Sequence, residues 1–543
     1  MSRDFSHTKP HYWFTDPSKI GPVLIVMLTL SAYSNTYLAP FIFDDLEAIR
    51  DNPNIRQLWP IWNALAGPQQ TPVAGRPLVS LTLAVNYAVS GLSVWSYHVF
   101  NLTVHILNAL LVFAILRRTF SLRRFTEPTQ RDGSWLAGAV SLAWAVHPLN
   151  TEAVTYTIQR TELLVAFFFL LTLYATIRST TSKWRSGWFA CAIVSCLCGA
   201  GCKEVIAGAP LLVLTYDATF LAGSWRSALR ERRVLYGGLL LTWTALAAIL
   251  NTGPRSGSVG FGFSVGWWDY LKTQCSVILH YLYLAFWPHL LSIDYSDWPT
   301  SLPLVSILPQ ALTIVVLLGS SIWYLRKRST LGYLGAWFFI VLAPTSSFIP
   351  IVTEPAAERR MYLPLIAIIA LVFCCVHDLS QRSRLRQRRA FTLALAGLII
   401  SILVSVTYRR NFDYRSETAI WSDVLEKRPN NIDAHNSLGL ALLTEGRLDE
   451  GLHHLLETIR LNPGHTKAHH NLGFAYSFLQ HHTEAIQHYR TALQYDPHMP
   501  DTRYQLALEY LQIGDYNSAI KELEILKNLD PKLAQLLAAK LQK

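Results

Sequence analysis

Charged residues are scarce in this chain of 543 residues, since Asp, Glu, Lys and Arg together make up 15% of the sequence. A soluble protein of this length carries closer to about a quarter. Several apolar stretches approach or exceed the roughly 20 residues that cross a bilayer. The shortage of charge therefore excludes an ordinary soluble protein. It predicts a polytopic membrane protein up to about Arg409, followed by a polar tail.

Cysteine is also scarce, and the seven cysteines lie in or beside apolar runs, where cysteine behaves as a small hydrophobe. This pattern predicts neither a disulfide framework nor a cysteine metal site. The net charge of +11 comes from basic residues grouped in short loops between apolar runs, which is typical of membrane orientation rather than nucleic-acid binding. No small-residue cleavage site follows the basic N-terminus with Arg3 and Lys9, so the first apolar run is predicted to be an uncleaved span.

Five short loops are strongly basic, at 117–131, 178–185, 226–233, 326–328 and 382–389. The positive-inside rule places these loops and the N-terminus in the cytoplasm. Eleven spans then alternate across the membrane, with the polar tail on the outer side. We predict them at 21–40, 98–117, 134–148, 160–178, 186–202, 204–223, 234–251, 303–325, 331–345, 362–379 and 390–408.

Two further apolar stretches, 77–92 and 268–288, do not fit as spans, because either crossing would move a basic loop to the outer side. We expect both to lie in the membrane interface. The polar residues at span ends then gather on the outer side, as they would around an outward-facing active site. This set comprises Asp44, Asp45, Arg76, His147, Glu152, Arg160, Lys203, Glu204, Asp294, Glu358, Arg359 and Arg360.

The polar tail has a period of 34 residues, marked by Pro429, Pro463, Pro497 and Pro531. Within each period the same position is occupied by Leu438-Gly439, Leu472-Gly473 and Leu506-Ala507. Such a period is typical of tetratricopeptide repeats, in which small residues let paired helices approach. We predict a domain at 1–410, a linker at 411–429, repeats at 430–463, 464–497 and 498–531, and a capping helix at 532–543.

Ten of the eighteen histidines fall in this tail. Their spacings repeat no metal-ligand pattern, so we interpret them as parts of exposed repeat faces. The concave groove of the repeats is expected to hold a peptide or a partner protein.

The adjacent carboxylates Asp44 and Asp45 follow the first apolar run almost immediately. Charge at the rim of the hydrocarbon is expensive, so acids there are usually functional. The alternative is a solvated interfacial loop, or an acidic cap that opens a helix through Glu47.

Six segments succeed one another along nearly the whole chain: FDDLEAIRDNPNI, GRPLVSLTLAVNYAVSGLSVWSYHVFNLTVHILNALL, HPLNTEAVTYTIQRTELLVAFFFLL, CKEVIAGAPLLVLTYD, IDYS and EPAAERRMYLP. Together with the repeats, they resemble the transmembrane and tetratricopeptide-repeat O-mannosyltransferases and their bacterial relatives, of the GT-C architecture. The chain has far fewer repeats than the better-known animal members, which leaves the acceptor open.

The resemblance implies transfer of a sugar, commonly mannose, from a polyprenyl-phosphate carrier to a serine or threonine hydroxyl on the outer side. Inverting transfer needs one base opposite the leaving group. By resemblance that base is one of the pair Asp44 and Asp45. Cations must hold the phosphate charge, and each candidate has interfacial anchoring as its alternative. The candidates are Arg359, Arg360, Arg76, Arg160 and Lys203.

Four residues are the expected sugar- or acceptor-binding set: Glu152, Asp294, Tyr295 and Glu358. Each acid also has a plainer interpretation. Glu152 fits the first turn of a helix, and Asp294 fits a turn before Ser296. His147, which precedes a proline, is expected to be structural, and Glu204 to be the ion-pair partner of Lys203.

The sequence therefore predicts an all-α protein with an eleven-span glycosyltransferase domain and an outward repeat tail. The expected substrates are a lipid-linked sugar donor and a protein or peptide acceptor. No metal ligands are assigned, although a divalent metal beside the carboxylates is left open. A lipid-linked oligosaccharide ligase or polymerase and a non-enzymatic membrane scaffold are the alternatives. The expected location is the bacterial cytoplasmic membrane with the repeats in the periplasm, or the endoplasmic reticulum membrane of a eukaryote.

Overall fold

The computed structural model describes residues 16–69, 71–251, 260, 265–300, 302–347, 349–351, 353–382 and 388–542. Several residues of the topology argument, Arg3, Lys9, Arg384 and Arg386 among them, lie outside this described part. Contacts divide the chain into two compact units. The first contains the described residues up to Ile293 and those of Trp298–Arg415. The second contains Asp294–Asp297 and the described residues from Ser416 onward.

The first unit is helical, and its elements are joined by short 3-10 and π turns. In chain order its α-helices are α1 (Pro17–Ala32), α2 (Ile61–Leu65), α3 (Pro77–Ser90), α4 (Trp95–Phe120), α5 (Glu127–Ala145), α6 (Thr151–Thr155), α7 (Arg160–Ser179), α8 (Arg185–Ala200), α9 (Ala209–Tyr216), α10 (Trp225–Glu231), α11 (Arg233–Asn251), α12 (Trp267–Phe286), α13 (Leu304–Arg326), α14 (Thr330–Leu342), α15 (Pro364–Arg382) and α16 (Arg388–Asn411). The turns that matter for the site are the π turn Leu46–Arg50 and the 3-10 turns Pro148–Asn150, Thr157–Gln159, Glu204–Gly208 and Glu358–Met361.

Seven helical stretches in the described part are long and apolar enough to cross a membrane, and each coincides with a predicted span. They are Trp95–Phe120, Thr157–Ser179, Glu204–Leu221, Arg233–Asn251, Leu304–Arg326, Pro364–Arg382 and Ala390–Arg415. On α13, Val305, Leu312 and Val315 are exposed in the protein alone. An apolar surface of this kind requires a lipid environment. The predicted polytopic helical membrane protein is therefore confirmed, whereas the count of eleven spans stays a prediction.

The first predicted span, 21–40, has different bounds, because α1 ends at Ala32. Polar side chains end it: the hydroxyls of Ser34 and Thr36 donate to backbone carbonyls three residues back, and Asn35 donates to the Tyr408 carbonyl. Such local bonds compete with helix continuation. The chain thus leaves the helix eight residues early, and residues 33–43 form the loop that leads to the two aspartates.

The second unit is a stack of helix pairs, which confirms the predicted tetratricopeptide tail. Its helices are α17 (Glu417–Lys427), α18 (Ile432–Thr444), α19 (Leu448–Leu461), α20 (Thr466–Phe478), α21 (His482–Tyr495), α22 (Pro500–Gln512), α23 (Tyr516–Leu529) and α24 (Pro531–Leu541). The predicted linker at 411–429 is helical over most of its length. It contains the 3-10 turn Phe412–Arg415 and the helix α17.

Small residues bring each helix pair together. A Cβ atom on Gly439 would lie 2.8 Å from the Leu455 side chain and 3.0 Å from the Gly451 carbonyl oxygen, so only glycine fits there. Between the helices of a pair, Gly446 and Gly514 adopt a left-handed φ of +80° and +79°. Gln480, which interrupts that glycine series, adopts the same conformation at φ +63°. A left-handed glutamine is strained, because its Cβ is close to the backbone.

Two histidine pairs repeat at the 34-residue period inside the stack. The Nδ1 atoms of His435 and His454 lie 3.0 Å apart, and those of His469 and His488 lie 3.1 Å apart. In the third repeat the same positions hold the ion pair of Arg503 with Glu522. His435 and His469 are buried, so their interpretation as exposed-face residues is wrong. Each of these two rings contacts a proline carbonyl through Nε2, at 3.0 Å, and that contact draws it into the repeat.

Candidate active site

The two aspartates begin the helical segment that continues as the π turn Leu46–Arg50, directly after a turn at Phe43. Phe43 has a left-handed φ of +47°, which is uncommon for a bulky residue and characteristic of functional turns. Asp45 is fully buried. Its Oδ2 accepts a hydrogen bond from the Ile42 N–H (3.2 Å) and its Oδ1 accepts one from the Ile158 N–H (2.7 Å). Asp45 therefore fixes the turn against the 3-10 turn Thr157–Gln159.

Asp44 is partly exposed, and its backbone N–H donates to the Tyr156 hydroxyl at 2.9 Å. Burial and the neighbouring charge of Glu354 raise the pKa of Asp44 to about 6, against the opposing effects of Arg359 and Tyr156. Burial also raises the pKa of Asp45 to about 8, although its two backbone hydrogen bonds oppose this. Of the two carboxylates, that of Asp44 is partly accessible, whereas both oxygens of Asp45 accept hydrogen bonds from backbone N–H groups.

Arg359 holds two carboxylates next to Asp44. Its guanidinium forms ion pairs with Glu152 and Glu354, and its backbone N–H donates to Glu152 Oε2 at 2.8 Å. Glu152 is fully buried on the short helix α6, which the Pro148–Asn150 turn sets in place. Burial raises the pKa of Glu152, and Arg359 opposes the shift. Burial would also raise the pKa of Glu354, but Arg359, Arg360 and Lys203 outweigh it and lower the pKa to about 2.

Arg360 is bound differently from its neighbour. It donates to the Pro355 carbonyl at 3.1 Å, to the Glu354 carbonyl at 2.5 Å and to the Tyr270 hydroxyl at 3.4 Å. Within the described residues these hydrogen-bond partners are all neutral. Arg360 therefore keeps a positive charge that no direct ion pair cancels, beside a carboxylate-rich group.

Lys203 and Arg76 extend the same cluster of charges. Lys203 pairs with Glu162 at the start of α7, and Arg76, which precedes α3, lies 3.5 Å from Glu204 and donates to the Pro72 carbonyl at 3.0 Å. The charges of Glu162, Arg76, Glu204 and Arg359 all act on Lys203. Glu204 thus pairs with Arg76 in this arrangement, rather than with Lys203 as expected.

Arg160 lies apart from this cluster. It is fully buried, donates to Asn86 Oδ1 at 2.7 Å, and stacks over the Phe100 ring at 4.7 Å. Its interior position is incompatible with interfacial anchoring, the alternative given for it above. Its charge also acts on Asp45, the buried member of the aspartate pair.

The structure divides the predicted sugar- and acceptor-binding residues. Glu152 joins Arg359, as described. Glu358 Oε1 accepts the Ser292 N–H at 2.5 Å, which attaches the loop after α12 to the Glu358–Met361 turn. Asp294 and Tyr295 belong to the second unit. There Asp294 accepts hydrogen bonds from Ser296 (2.9 Å from N) and from the Asn431 amide (2.7 Å), and Arg428 lies over the Tyr295 ring.

His147 has a structural environment, as expected. Its Nδ1 accepts the Leu149 N–H at 3.2 Å and its Nε2 lies 3.1 Å from the Ala285 carbonyl oxygen. Both ring nitrogens are therefore used within the fold.

Three residues of the site were not singled out from the sequence: Tyr156, Glu162 and Glu354. All three lie inside segments that carry the family resemblance, and Glu354 stands five residues before Arg359. An acid this close to an arginine in the sequence could have indicated their ion pair. The partners of Tyr156 and Glu162 are more than 40 positions distant, so no local pattern indicates them.

The carboxylates of the cluster that the structure describes are paired with basic side chains. Glu152 and Glu354 are engaged by Arg359, and Glu162 by Lys203. In the part of the chain that the structure describes, no group of three or more His, Cys, Asp or Glu side chains is arranged to hold a metal ion.

Comparison with known proteins found matches to the membrane part of the chain and to the repeat tail. A family model described as tetratricopeptide repeat matches residues 479–541. The chain is 26% identical to protein O-mannosyl-transferase Tmtc3 of Drosophila melanogaster, over 80% of this chain and 54% of that protein. It is 24% identical to human protein O-mannosyl-transferase TMTC3, over 80% and 50%. Against mouse TMTC2 the identity is 31%, over 37% and 24%.

These matches confirm the resemblance to the transmembrane and tetratricopeptide-repeat O-mannosyltransferases. The chain spans about half the length of the curated relatives it matches. Among solved structures, ArnT from Cupriavidus metallidurans bound to undecaprenyl phosphate is 14% identical, with a TM-score of 0.43 over 88% of this chain and 80% of that one. The Archaeoglobus fulgidus oligosaccharyltransferase AglB, in complex with an inhibitory peptide and a dolichol-phosphate, is 12% identical, with a TM-score of 0.40 over 78% and 60%.

Proposed function

We propose that this relative of the O-mannosyltransferases is a membrane hexosyltransferase. It transfers mannose from a polyprenyl-phosphate carrier to a serine or threonine hydroxyl of a protein, with inversion at the anomeric carbon. The observation that carries the proposal is a partly exposed carboxylate, Asp44, with its pKa raised to about 6 beside a cluster of arginines. The names of the relatives support the sugar and the acceptor type.

Asp44 is the base in this proposal. A general base works best when its pKa is near the operating pH and its carboxylate is accessible to the acceptor. Asp44 meets both conditions, since burial and Glu354 raise its pKa to about 6. Asp45 is a positioning residue, because both of its oxygens are occupied by backbone N–H groups.

Arg360 is the residue that receives the leaving phosphate. A departing phosphate needs a fixed positive charge that nothing else already neutralises. The charge of Arg359 is shared between Glu152 and Glu354, whereas Arg360 donates to neutral groups among the described residues. Arg359 then orients the turn Glu358–Met361, and Lys203 with Arg76 adds positive potential to the same region.

One displacement completes the reaction. The acceptor oxygen forms a bond to the anomeric carbon as the bond from that carbon to the phosphate oxygen breaks. The acceptor proton passes to Asp44, and the electron pair leaves with the polyprenyl phosphate. A single base on one face and a phosphate that leaves without protonation give inversion.

The site faces the extracytoplasmic side in this proposal, because the basic loops assign the opposite ends of the spans to the cytoplasm. The membrane is the bacterial cytoplasmic membrane or the endoplasmic reticulum membrane, which share this orientation. The tetratricopeptide groove holds the protein acceptor on the same side, as stacks of helical repeats hold extended ligands.

The test is incubation of the purified full-length chain with polyprenyl-phosphate mannose and a serine/threonine-rich peptide, read by mass spectrometry of the peptide. We expect a mass increase of one hexose per modified hydroxyl. Asp44→Asn should reduce the initial rate at least 100-fold, because general-base catalysis contributes roughly 10²–10⁴-fold. Asp51→Asn is the matched control, since Asp51 is exposed at the end of the π turn Leu46–Arg50 and pairs only with Arg50 among the described residues.

Each other outcome decides against part of the proposal. Transfer of a longer glycan but no single hexose would identify an oligosaccharide ligase. No transfer by wild type or variant, combined with loss of function in cells only when the repeats are deleted, would identify a scaffold. Arg360→Gln with an unchanged rate would remove the assignment of the leaving phosphate to Arg360.

A further inference from the structure

The first unit contains an apolar cavity far from Asp44. It lies between α4, α9, α14 and α15, and its wall includes Val112, Leu170, Phe220, Trp337 and Ile366. Near the other end of α4, His98 contacts the Ala39 carbonyl in the loop that leads to the aspartates at 2.9 Å. Phe120, which also lines the cavity, is 22 residues further along the helix, and a rise of 1.5 Å per residue separates the two by roughly 33 Å.

The apolar wall of this cavity also contains a buried polar group, the hydroxyl of Tyr333. The hydroxyl of Tyr333 is buried and has no hydrogen-bond partner among the described residues. The other phenol in the wall, Tyr216, is bonded to the Thr119 hydroxyl at 2.7 Å. A buried hydroxyl without a partner is unfavourable, so a ligand that brings an acceptor oxygen to Tyr333 gains affinity.

Positive charge stands beside the same cavity. The Arg124 guanidinium lies 4.9 Å from the centre of the Phe220 ring, which is part of the wall. Arg124 donates to the Arg328 carbonyl at 2.7 Å and to the Thr219 carbonyl, and Arg328 donates to the Gly223 carbonyl. Among the residues that the structure describes, these hydrogen-bond partners are neutral, so both guanidinium charges remain available to an anion.

An apolar cavity, one buried donor and a cationic rim match three parts of one molecule. We propose that the cavity binds an anionic glycerophospholipid. The cavity has a volume of about 50 Å³. The ester carbonyl and the adjoining carbons of one acyl chain enter it between the helices, the carbonyl oxygen accepts the Tyr333 hydroxyl, and the phosphate faces Arg124. A polyprenyl phosphate shares the apolar chain and the anion but has no ester carbonyl, so Tyr333 discriminates between the two.

The site is independent of the proposed transfer reaction. It lies at the end of the bundle that carries the basic loops with Arg124 and Arg326–Arg328, which the positive-inside rule assigns to the cytoplasmic leaflet. A lipid bound there joins α4, α9, α14 and α15 into one packed group, so we expect it to raise the thermal stability of the membrane unit.

The experiment measures the melting temperature of the delipidated full-length chain in detergent during titration with four lipids. They are diacyl phosphatidylglycerol, its dialkyl ether analogue, diacyl phosphatidylcholine and polyprenyl phosphate. We expect the diacyl phosphatidylglycerol to stabilise more than phosphatidylcholine and more than the ether analogue, with an apparent affinity about three- to tenfold above that of the ether analogue, as loss of one hydrogen bond predicts. Polyprenyl phosphate, which the proposed active site binds, should stabilise the wild type and Ala370→Leu equally. Tyr333→Phe should abolish that difference, whereas Tyr174→Phe, outside the cavity, should preserve it.

Ala370→Leu gives a second variant that does not depend on the hydroxyl, since Ala370 is part of the wall and a larger side chain fills the space. It should abolish the response to phosphatidylglycerol while the unliganded melting temperature stays equal or rises. Equal responses to diacyl and ether lipids, a difference that persists in Tyr333→Phe, a response to polyprenyl phosphate that Ala370→Leu abolishes, or no response to phosphatidylglycerol in the wild type would each overturn the proposal.

Discussion

Replacing Asp44 and Asp45 one at a time with asparagine should separate catalysis from folding within two adjacent residues. Asparagine keeps the size of aspartate and removes its charge. At Asp44 the change removes a partly exposed carboxylate whose ionisation the fold disfavours. At Asp45 it removes an acceptor from a carboxylate that receives two backbone N–H groups. The two variants should therefore move activity and stability in different directions.

The magnitude at Asp44 follows from its pKa. A rise from 3.8 to about 6 means that the folded state binds the proton more tightly than the unfolded state. Ionisation then costs the fold up to about 3 kcal/mol, at about 1.4 kcal/mol per pKa unit. That cost is absent below about pH 4 and is complete above about pH 6. Asp44→Asn removes it, so at pH 7 the melting temperature should stay equal or rise by a few degrees while transfer falls at least about 100-fold.

The magnitude at Asp45 follows from its hydrogen bonds. The amide of asparagine has one acceptor oxygen, so its NH2 group would face either the Ile42 or the Ile158 N–H. One buried donor then loses its acceptor, which costs about 1–3 kcal/mol. Because burial raises the pKa of Asp45 to about 8, the substitution also relieves an ionisation cost at neutral pH, and this cost is absent at about pH 4. Asp45→Asn should therefore lower the melting temperature when the melts are compared at about pH 4, with a partial loss of transfer that follows the loss of folded protein.

The assay combines peptide mannosylation with a thermal melt of the same preparations, with Asp51→Asn as the control for a charge change in this segment. Full transfer activity in Asp44→Asn would refute the assignment of the base. An Asp45→Asn variant with an unchanged melting temperature and no activity would show that the two roles are reversed.

Four further outcomes follow from the structure. The pH profile of transfer should fall with one proton below about pH 6, because Asp44 must be ionised to accept the acceptor proton. Glu354→Gln should move that midpoint to lower pH in the same rate assay, because the Glu354 charge raises the pKa of Asp44. Gln480→Gly should stabilise the repeats by about 1 kcal/mol in a urea melt, since it relieves a left-handed glutamine. Burial lowers the pKa of His454 and His488, so acidification below about pH 6.5 should increase hydrogen exchange in α18–α21 more than in α22 and α23.

Local patterns were sufficient for most of the architecture. Apolar runs between basic loops predicted the membrane helices, because both the length and the flanking charge of a span are properties of contiguous sequence. The 34-residue period predicted the repeats for the same reason. The end of α1 at Ala32 was missed, because Ser34, Asn35 and Thr36 are compatible with an apolar run in composition but compete with the helix through their hydrogen bonds.

The candidate site depended on contacts that the sequence does not display. Residue type and position brought Asp44, Glu152, Arg359 and Arg360 to attention. Asp44 differs from Asp45 in accessibility. The turn directs the two side chains differently, and Asp45 accepts a hydrogen bond from the Ile158 N–H, 113 residues further along the chain. Arg160 was assigned to the phosphate by its charge alone, and its buried contact with Asn86 emerges only after α3 and α7 pack.

The charges around Asp44 explain why so many acids surround a site proposed to bind an anion. A free Arg359 would lower the pKa of Asp44 and make it a weaker base. Because Glu152 and Glu354 share Arg359, that effect is reduced, and Glu354 itself raises the pKa of Asp44. Arg360, whose partners in the described part are neutral, remains for the phosphate. Because Arg359 pairs with two acids, the proposed base Asp44 keeps a raised pKa while the proposed phosphate ligand Arg360 keeps its positive charge.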